Sequence, residues 1–493
     1  MLQFILGKSG SGKTTKAVNI LSELRKSGNT KLLMLVPDQN SFETETAFLN
    51  ILGAGLCRDV LVFGFNRLSD YVFKQTGNIP HNVIDDGVRK IIISKAIDEC
   101  QDNLKFFSSL KTRKSVLELM LHSLSEWKKD NITPEMINSA CETIKNETLT
   151  RKLGETSLVL EAHDAILSGT YIDPLDNLNR LNSILSDSTL FEDYTIVADS
   201  FSGFTYQQLE VLTTLMRRSK DFYVTLNLDP DYKNSDVFFT TNRTYKLIKR
   251  MAKRCGIDIN PDIILAERVR SSIDEFSFLE KYALKVNDNV YDKTTENIET
   301  FIASDIYREA GFVARRIKSL VVDSGYDYSD IAVICRDISM YSGILDTTFD
   351  KFDIPYFMNV PKDVFNRPVI RFISSALECV IYGFERERLL SMLKTGLVNL
   401  SEIEISDFEN YLFTWNIDRS SIKSEFTFNP SGLERMTPSD EKKLGEIEAT
   451  RKFAVEPLVR FQNNCKKASV EMISKALFEL MNDFNLESTV AEL

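Results

Sequence analysis

The chain has 493 residues, 43% of them apolar and 27% charged, too long for one core and too mixed in character for a disordered polymer. A net charge of −11 excludes a chain coated throughout with DNA-binding charge, although residues 1–80 run against it, with nine Lys and Arg to six Asp and Glu. No apolar run is long enough to cross a membrane, and no basic leader precedes an apolar segment, since Lys8 and Lys13 belong to the motif described next.

The first element is "LQFILG", a strand that runs into "GKSGSGKT" and then into the helix "KTTKAVNILSELRKSG". Residues Gly7, Lys8, Ser9, Gly10, Ser11, Gly12, Lys13 and Thr14 satisfy G-x-x-x-x-G-K-[ST], with Thr15 continuing into the helix. Glycines let successive backbone N–H groups face phosphate oxygens. Lys13 supplies a point charge, Thr14 a hydroxyl ligand for Mg²⁺, and the helix its positive end. This is the pattern of an ATP–Mg²⁺ clamp, with a plain Gly/Ser turn as the alternative.

"TKLLMLVPD" and "RDVLVFGF" read as further buried strands, which makes residues 1–84 α/β with a parallel sheet. From 85 to 188 the apolar period becomes helical, in "DDGVRKIIISKAIDEC", "TRKSVLELMLHSLSEWKKD" and "GETSLVLEAHDAILSG". Over 189–290 the sheet pattern returns with "YTIVADSF" and "DFYVTLNLD". A second α/β segment is expected over 291–380, with strands in "IETFIAS", "DIAVICRD" and "FDIPYFMN", and a second helical segment over 381–493. Seven scattered cysteines and three isolated histidines form no disulfide framework or metal motif, which fits a reduced, cytoplasmic protein.

Hydrolysis needs a carboxylate beyond the clamp. In "YTIVADSF" Asp199 takes the Mg²⁺ position, or else serves as a cap, but Ser200 follows where a P-loop ATPase places a glutamate. A hydroxyl is no general base near neutral pH without help.

The segments "GKSGSGKT", "LVPDQNSFETE", "VFGFNRLSDYVF", "ADSFSGFTYQQLEVL", "YSDIAVICRD", "FDIPYFMN", "LLSMLKTGL" and "ENYL" resemble, in order and spacing, the N-terminal part of the AddB (RexB) family. The resemblance implies a superfamily 1 helicase-like fold: two RecA-like domains with parallel sheets, each carrying a helical insertion. The first domain would then comprise 1–84 and 189–290, with 85–188 inserted. The second would comprise 291–380, followed by 381–493 as its insertion. It also implies AddA as heterodimer partner, single-stranded DNA carrying the Chi sequence as ligand, and a role in double-strand break repair by recombination. The family's C-terminal nuclease and its [4Fe–4S] cluster, held by four cysteines, belong to full-length members and are expected to be absent from this chain. Only six residues precede Gly7, which leaves no room for the upstream glutamine by which active motors read adenine.

By the same resemblance Gln39, Ser41, Phe65, Arg67 and Phe204 fall on loops used by the Chi-reading groove. Gln39 can read a base edge, Ser41 can cap the next helix, and Phe65 either stacks on a base or joins the core. Asp70 stands where relatives often carry Trp. "AERVRSS" loosely matches a motif that directs an arginine at the γ-phosphate, making Arg270 a candidate beside the alternative of a helix cap. Three readings follow: a nucleotide-binding, poorly hydrolysing module that grips single-stranded DNA; an active DNA-stimulated ATPase; or a scaffold for AddA with a vestigial clamp.

Overall fold

A computed structural model describes residues 1–105, 107, 114–229, 236–282, 288–358 and 364–492. The chain forms two units, Met1–Glu299 and Thr300–Leu493.

The first unit is built on a six-stranded, all-parallel sheet: β1 (Leu2–Gly7), β2 (Leu32–Leu35), β3 (Val60–Phe63), β4 (Thr195–Ala198), β5 (Asp221–Asn227) and β6 (Ile263–Leu265), in the order β3-β2-β4-β5-β1-β6. Its strands are apolar at nearly every position because both faces are covered. Alternate residues enter different cores. Leu33, Leu35, Ile196 and Phe222 pack on one face, while Leu32, Met34, Val60, Val62 and Val197 meet Ala17, Leu21 and Phe48 on the other. The helices that supply these covers include α1 (Lys13–Lys26), α2 (Ser41–Leu56) and α3 (Phe65–Thr76).

Between α3 and β4 the described residues form α4 (Asp86–Glu99), α5 (Lys114–Lys129), α6 (Pro134–Thr143), α7 (Glu147–Leu167) and α8 (Asn177–Asp187). Buried charges link them. Arg89 makes a bidentate pair with Asp173 at 2.7 and 3.2 Å, and Lys128 reaches Asp176 at 2.6 Å and Asp164 at 3.2 Å. Then follow α9 (Tyr206–Arg218), α10 (Phe239–Arg254) and α11 (Asp274–Tyr282).

The second unit holds α12 (Ile306–Ser324), α13 (Leu345–Lys351), α14 (Pro368–Ile381), α15 (Arg386–Leu393), α16 (Glu402–Thr414), α17 (Pro438–Asn464), α18 (Val470–Asp483) and α19 (Leu486–Glu492). A core around Phe372, Phe408, Tyr411, Leu458 and Phe461 binds α14 to α18. The strands expected in "IETFIAS", "DIAVICRD" and "FDIPYFMN" form no ladder among the described residues of this unit. Ile302, Ile334 and Phe357 are at least 90% exposed, so among the described residues nothing covers these segments as the faces of a parallel sheet are covered. Among the described residues the six-stranded sheet of the first unit carries the α/β character.

Candidate nucleotide-binding site

At the carboxyl ends of β4, β5 and β1, which are adjacent in the sheet, lies a cavity of about 480 Å³. Ligands in open parallel sheets sit at this edge. From the loop after β1, Ser9, Gly10, Gly12, Lys13, Thr14 and Thr15 line it, while Gly7, Lys8 and Ser11 do not. Gly10 and Gly12 have φ of 78° and 84°, in the left-handed region that side chains resist. Gly12 caps α1 without any side-chain hydrogen bond, which leaves N–H groups of the first turn for an anion.

The Lys13 Nζ donates to the Lys8 carbonyl at 2.6 Å and to Asn227 Oδ1 at 3.4 Å. Burial lowers the Lys13 ammonium below its ordinary range; Asp199 opposes that shift, Arg270 adds to it, and Glu280 opposes it. Lys8 turns to Asp229 at 3.0 Å. Thr14 Oγ1 donates to Asp199 Oδ2 at 2.9 Å, bridging the ends of β1 and β4. Asp199 is only 1% exposed and also accepts from Ser200 Oγ at 2.9 Å and from Thr225 Oγ1 at 2.5 Å. A hydroxyl beside a carboxylate, next to a lysine and free helix N–H groups, is a donor set that suits a magnesium triphosphate. Among the described residues no cluster of three His, Cys, Asp or Glu forms an all-protein metal site.

Val269 and Arg270 roof the loop. Their backbone N–H groups both donate to the Gly10 carbonyl, at 2.9 and 3.0 Å, and a Cβ added at Gly10 would stand 3.1 Å from Arg270 Cβ. Arg270 lies in an exposed coil rather than at a helix cap. Among the described residues that line the cavity, Asp199 is the single carboxylate. Glu280 stays outside the lining and faces Arg268 at 3.8 Å.

Sequence reasoning missed Thr225, Asn227 and Val269. The signal for the first two was available: "VTLN" ends the strand that the topology places between β4 and β1.

The loop residues fare differently. Gln39 is exposed in a short turn after β2. Ser41 does not cap α2. Asn40 holds that position, while the Ser41 hydroxyl donates to the Asp38 carbonyl at 2.9 Å, because the preceding turn already brings that carbonyl within reach. Arg67 is exposed and paired with Glu45 at 2.9 Å. Phe65 is corrected to the core: it is 6% exposed, edge-on to Phe201 and Phe204 with ring centroids 5.7 and 6.4 Å away. Phe204 is half-buried in the same trio. The stripe Phe65, Leu68, Ser69, Val72 follows i, i+3, i+4, i+7, the periodicity that turns Phe65 inward.

The sheet, loop and bridging Thr14–Asp199 pair define a P-loop fold of the helicase-like class. Residues 4–280 match the family described as ADDB, N-terminal, and residues 266–418 match the UvrD-like helicase C-terminal domain. The chain belongs to the AddB family. It is 29% identical over 98% of its length to the B-type subunit of the ATP-dependent helicase/deoxyribonuclease of Clostridium perfringens. It has the same identity, over all of its length, to the equally named proteins of Thermoanaerobacter sp. and Clostridioides difficile. It spans 43–44% of the length of these curated relatives. Among the described residues no helix is long and apolar enough to cross a membrane.

Proposed function

We propose that this chain is the helicase-like, ATP-binding part of an AddB-type protein, one that holds Mg–ATP, turns it over weakly or not at all, and grips single-stranded DNA. The observation that carries this reading is the Thr14–Asp199 pair beside Lys13, in a cavity whose described lining offers no second carboxylate. Lys13, the N-terminal N–H groups of α1 and the Arg270 guanidinium would hold the phosphates, and Thr14 and Asp199 the Mg²⁺. A bound Mg²⁺ would supply neutralising charge to the phosphates. An Asp199 that serves that ion while accepting three hydroxyl donors is a weak acceptor for a proton from water, because each of these contacts stabilises its charged form. Ser200, a neutral hydroxyl that donates to Asp199, is too weak a base to activate water near neutral pH.

In this reading Gln39, in the turn after β2, and Arg67, on the first turn of α3, face the DNA. Residues 85–188 and 381–493 are insertions in two RecA-like domains (1–84 with 189–290, and 291–380). The partner is AddA, the setting is cytoplasmic recombinational repair of double-strand breaks, and the DNA sequence read is Chi. The names of the relatives support a role as one subunit of an ATP-dependent helicase–nuclease.

Fluorescent ATP binding and steady-state phosphate release test the proposal together. With Mg²⁺ and single-stranded DNA, the chain is expected to bind nucleotide, to lose at least about tenfold in affinity as Lys13→Ala, and to release phosphate near background. A robust, Lys13-dependent turnover would overturn the reading of a passive clamp.

A further inference from the structure

With Phe65 in the core and Phe204 half-buried, the loop tips need another aromatic face if bases are to stack there, and they have one. Phe42, on the first turn of α2, is 77% exposed. It lies off the stripe of Thr44, Phe48 and Leu52 that buries the inner face of that helix, so core packing does not account for it. Phe42 stands at the lip of a groove of about 410 Å³ between α2 and β3, the edge strand of the sheet. Glu45, Phe63 and Arg67 line the same groove. The Arg67 guanidinium sits 5.7 Å over the Phe63 ring while it donates to Glu45.

We propose that this groove takes an unstacked nucleobase of single-stranded DNA, with Phe42 as its stacking platform. The inference rests on the single-strand binding proposed above and adds the place where a base docks. The chemistry of the walls selects this occupant. Arg67 and Glu45 pair with each other, while Arg58, exposed on the same lining, offers its charge to the phosphate that flanks a docked base. An aliphatic side chain from a protein partner would bury that pair without satisfying it. A base offers an aromatic face to Phe42, and its edge carries both donors and acceptors for the carboxylate and the guanidinium. The site is also built in advance. Asn66 Nδ2 donates to Asp38 Oδ2 at 3.1 Å, tying the loop after β3 to the loop after β2. Gly64 makes room for the Asp38 carboxylate, where a Cβ would collide with it. The starts of α2 and α3 are thereby held side by side, and binding need not order them.

The test uses the 493-residue chain and two probes, a short oligothymidylate and an abasic deoxyribose-phosphate strand of equal length, titrated by fluorescence anisotropy. Wild type is expected to bind the base-bearing strand about tenfold more tightly. Phe42→Ala should remove that preference without shifting the melting temperature, and Phe42→Trp should keep it. A 5-iodouracil strand irradiated on the wild-type chain should leave its adduct on the peptide that contains Phe42. If Phe42→Ala keeps the full preference, or the adduct maps elsewhere, the groove assignment falls while single-strand binding stands. If wild type binds neither strand, both readings fall.

Discussion

Asp199 sits where three hydroxyls converge, and that convergence decides what it can do. Thr14, Ser200 and Thr225 all donate to it, so the carboxylate is held in one rotamer, ready for a cation. Asp199→Asn keeps the shape but removes the charge. It is expected to abolish the Mg²⁺ dependence of nucleotide affinity, read by titrating fluorescent ATP with and without the ion. Gly10→Ala addresses the roof of the same site. At φ 78° and 3.1 Å from Arg270, a methyl group strains the loop and pushes the roof away. A loss of roughly 1–2 kcal/mol in folding stability is expected from denaturant melts, together with weaker nucleotide binding. The clamp was legible in sequence because its glycines and its lysine serve local geometry. Asn227 was not, because its place beside Lys13 comes from strand order. For Phe65 the sequence left stacking and packing both open, because aromatic residues near a loop serve either, and its helical periodicity turns it into the core.

At the level of elements, α4, α5 and α7 share a buried ionic network beside an apolar cluster around Ile93, Met120 and Val159. Arg89 and Asp173 are 4% and 0% exposed at their side chains, and Lys128 joins them at 3.5 Å. Burial pushes the Asp173 carboxyl up, but the Arg89 hydrogen bond and the Lys128 charge overcome it, and the group ends below the ordinary Asp range. A depressed carboxylate contributes stability that is fully present above its unfolded value and is lost as pH falls through the lower, folded one. Asp173→Asn should therefore cost about 3–5 kcal/mol at neutral pH, measured by denaturant unfolding, and the gap to wild type should narrow below about pH 4. The helical period of "DDGVRKIIISKAIDEC" was plain, yet nothing in it revealed that Arg89 points inward, since its partner lies 84 positions away. The strands expected in the second unit form no ladder among the described residues, for a related reason. "IAVIC" has strand character, but a ladder needs neighbours, and Ile334 has none covering it among the described residues.

For the whole molecule, the sheet order makes the first unit a long-range construction. β1 pairs with β5 and β6 rather than with the strand that follows it in sequence, so most of the fold rests on contacts between distant segments. The roof belongs to the same closure: the Gly10 carbonyl receives the amides of Val269 and Arg270. During synthesis a ribosome would therefore have to deliver position 270 before the loop at position 10 could take its final shape, and tight nucleotide capture would report that the first unit has been completed. A nascent chain ending at Asn260, released and presented with fluorescent ATP, should bind it far more weakly than one ending at Glu299.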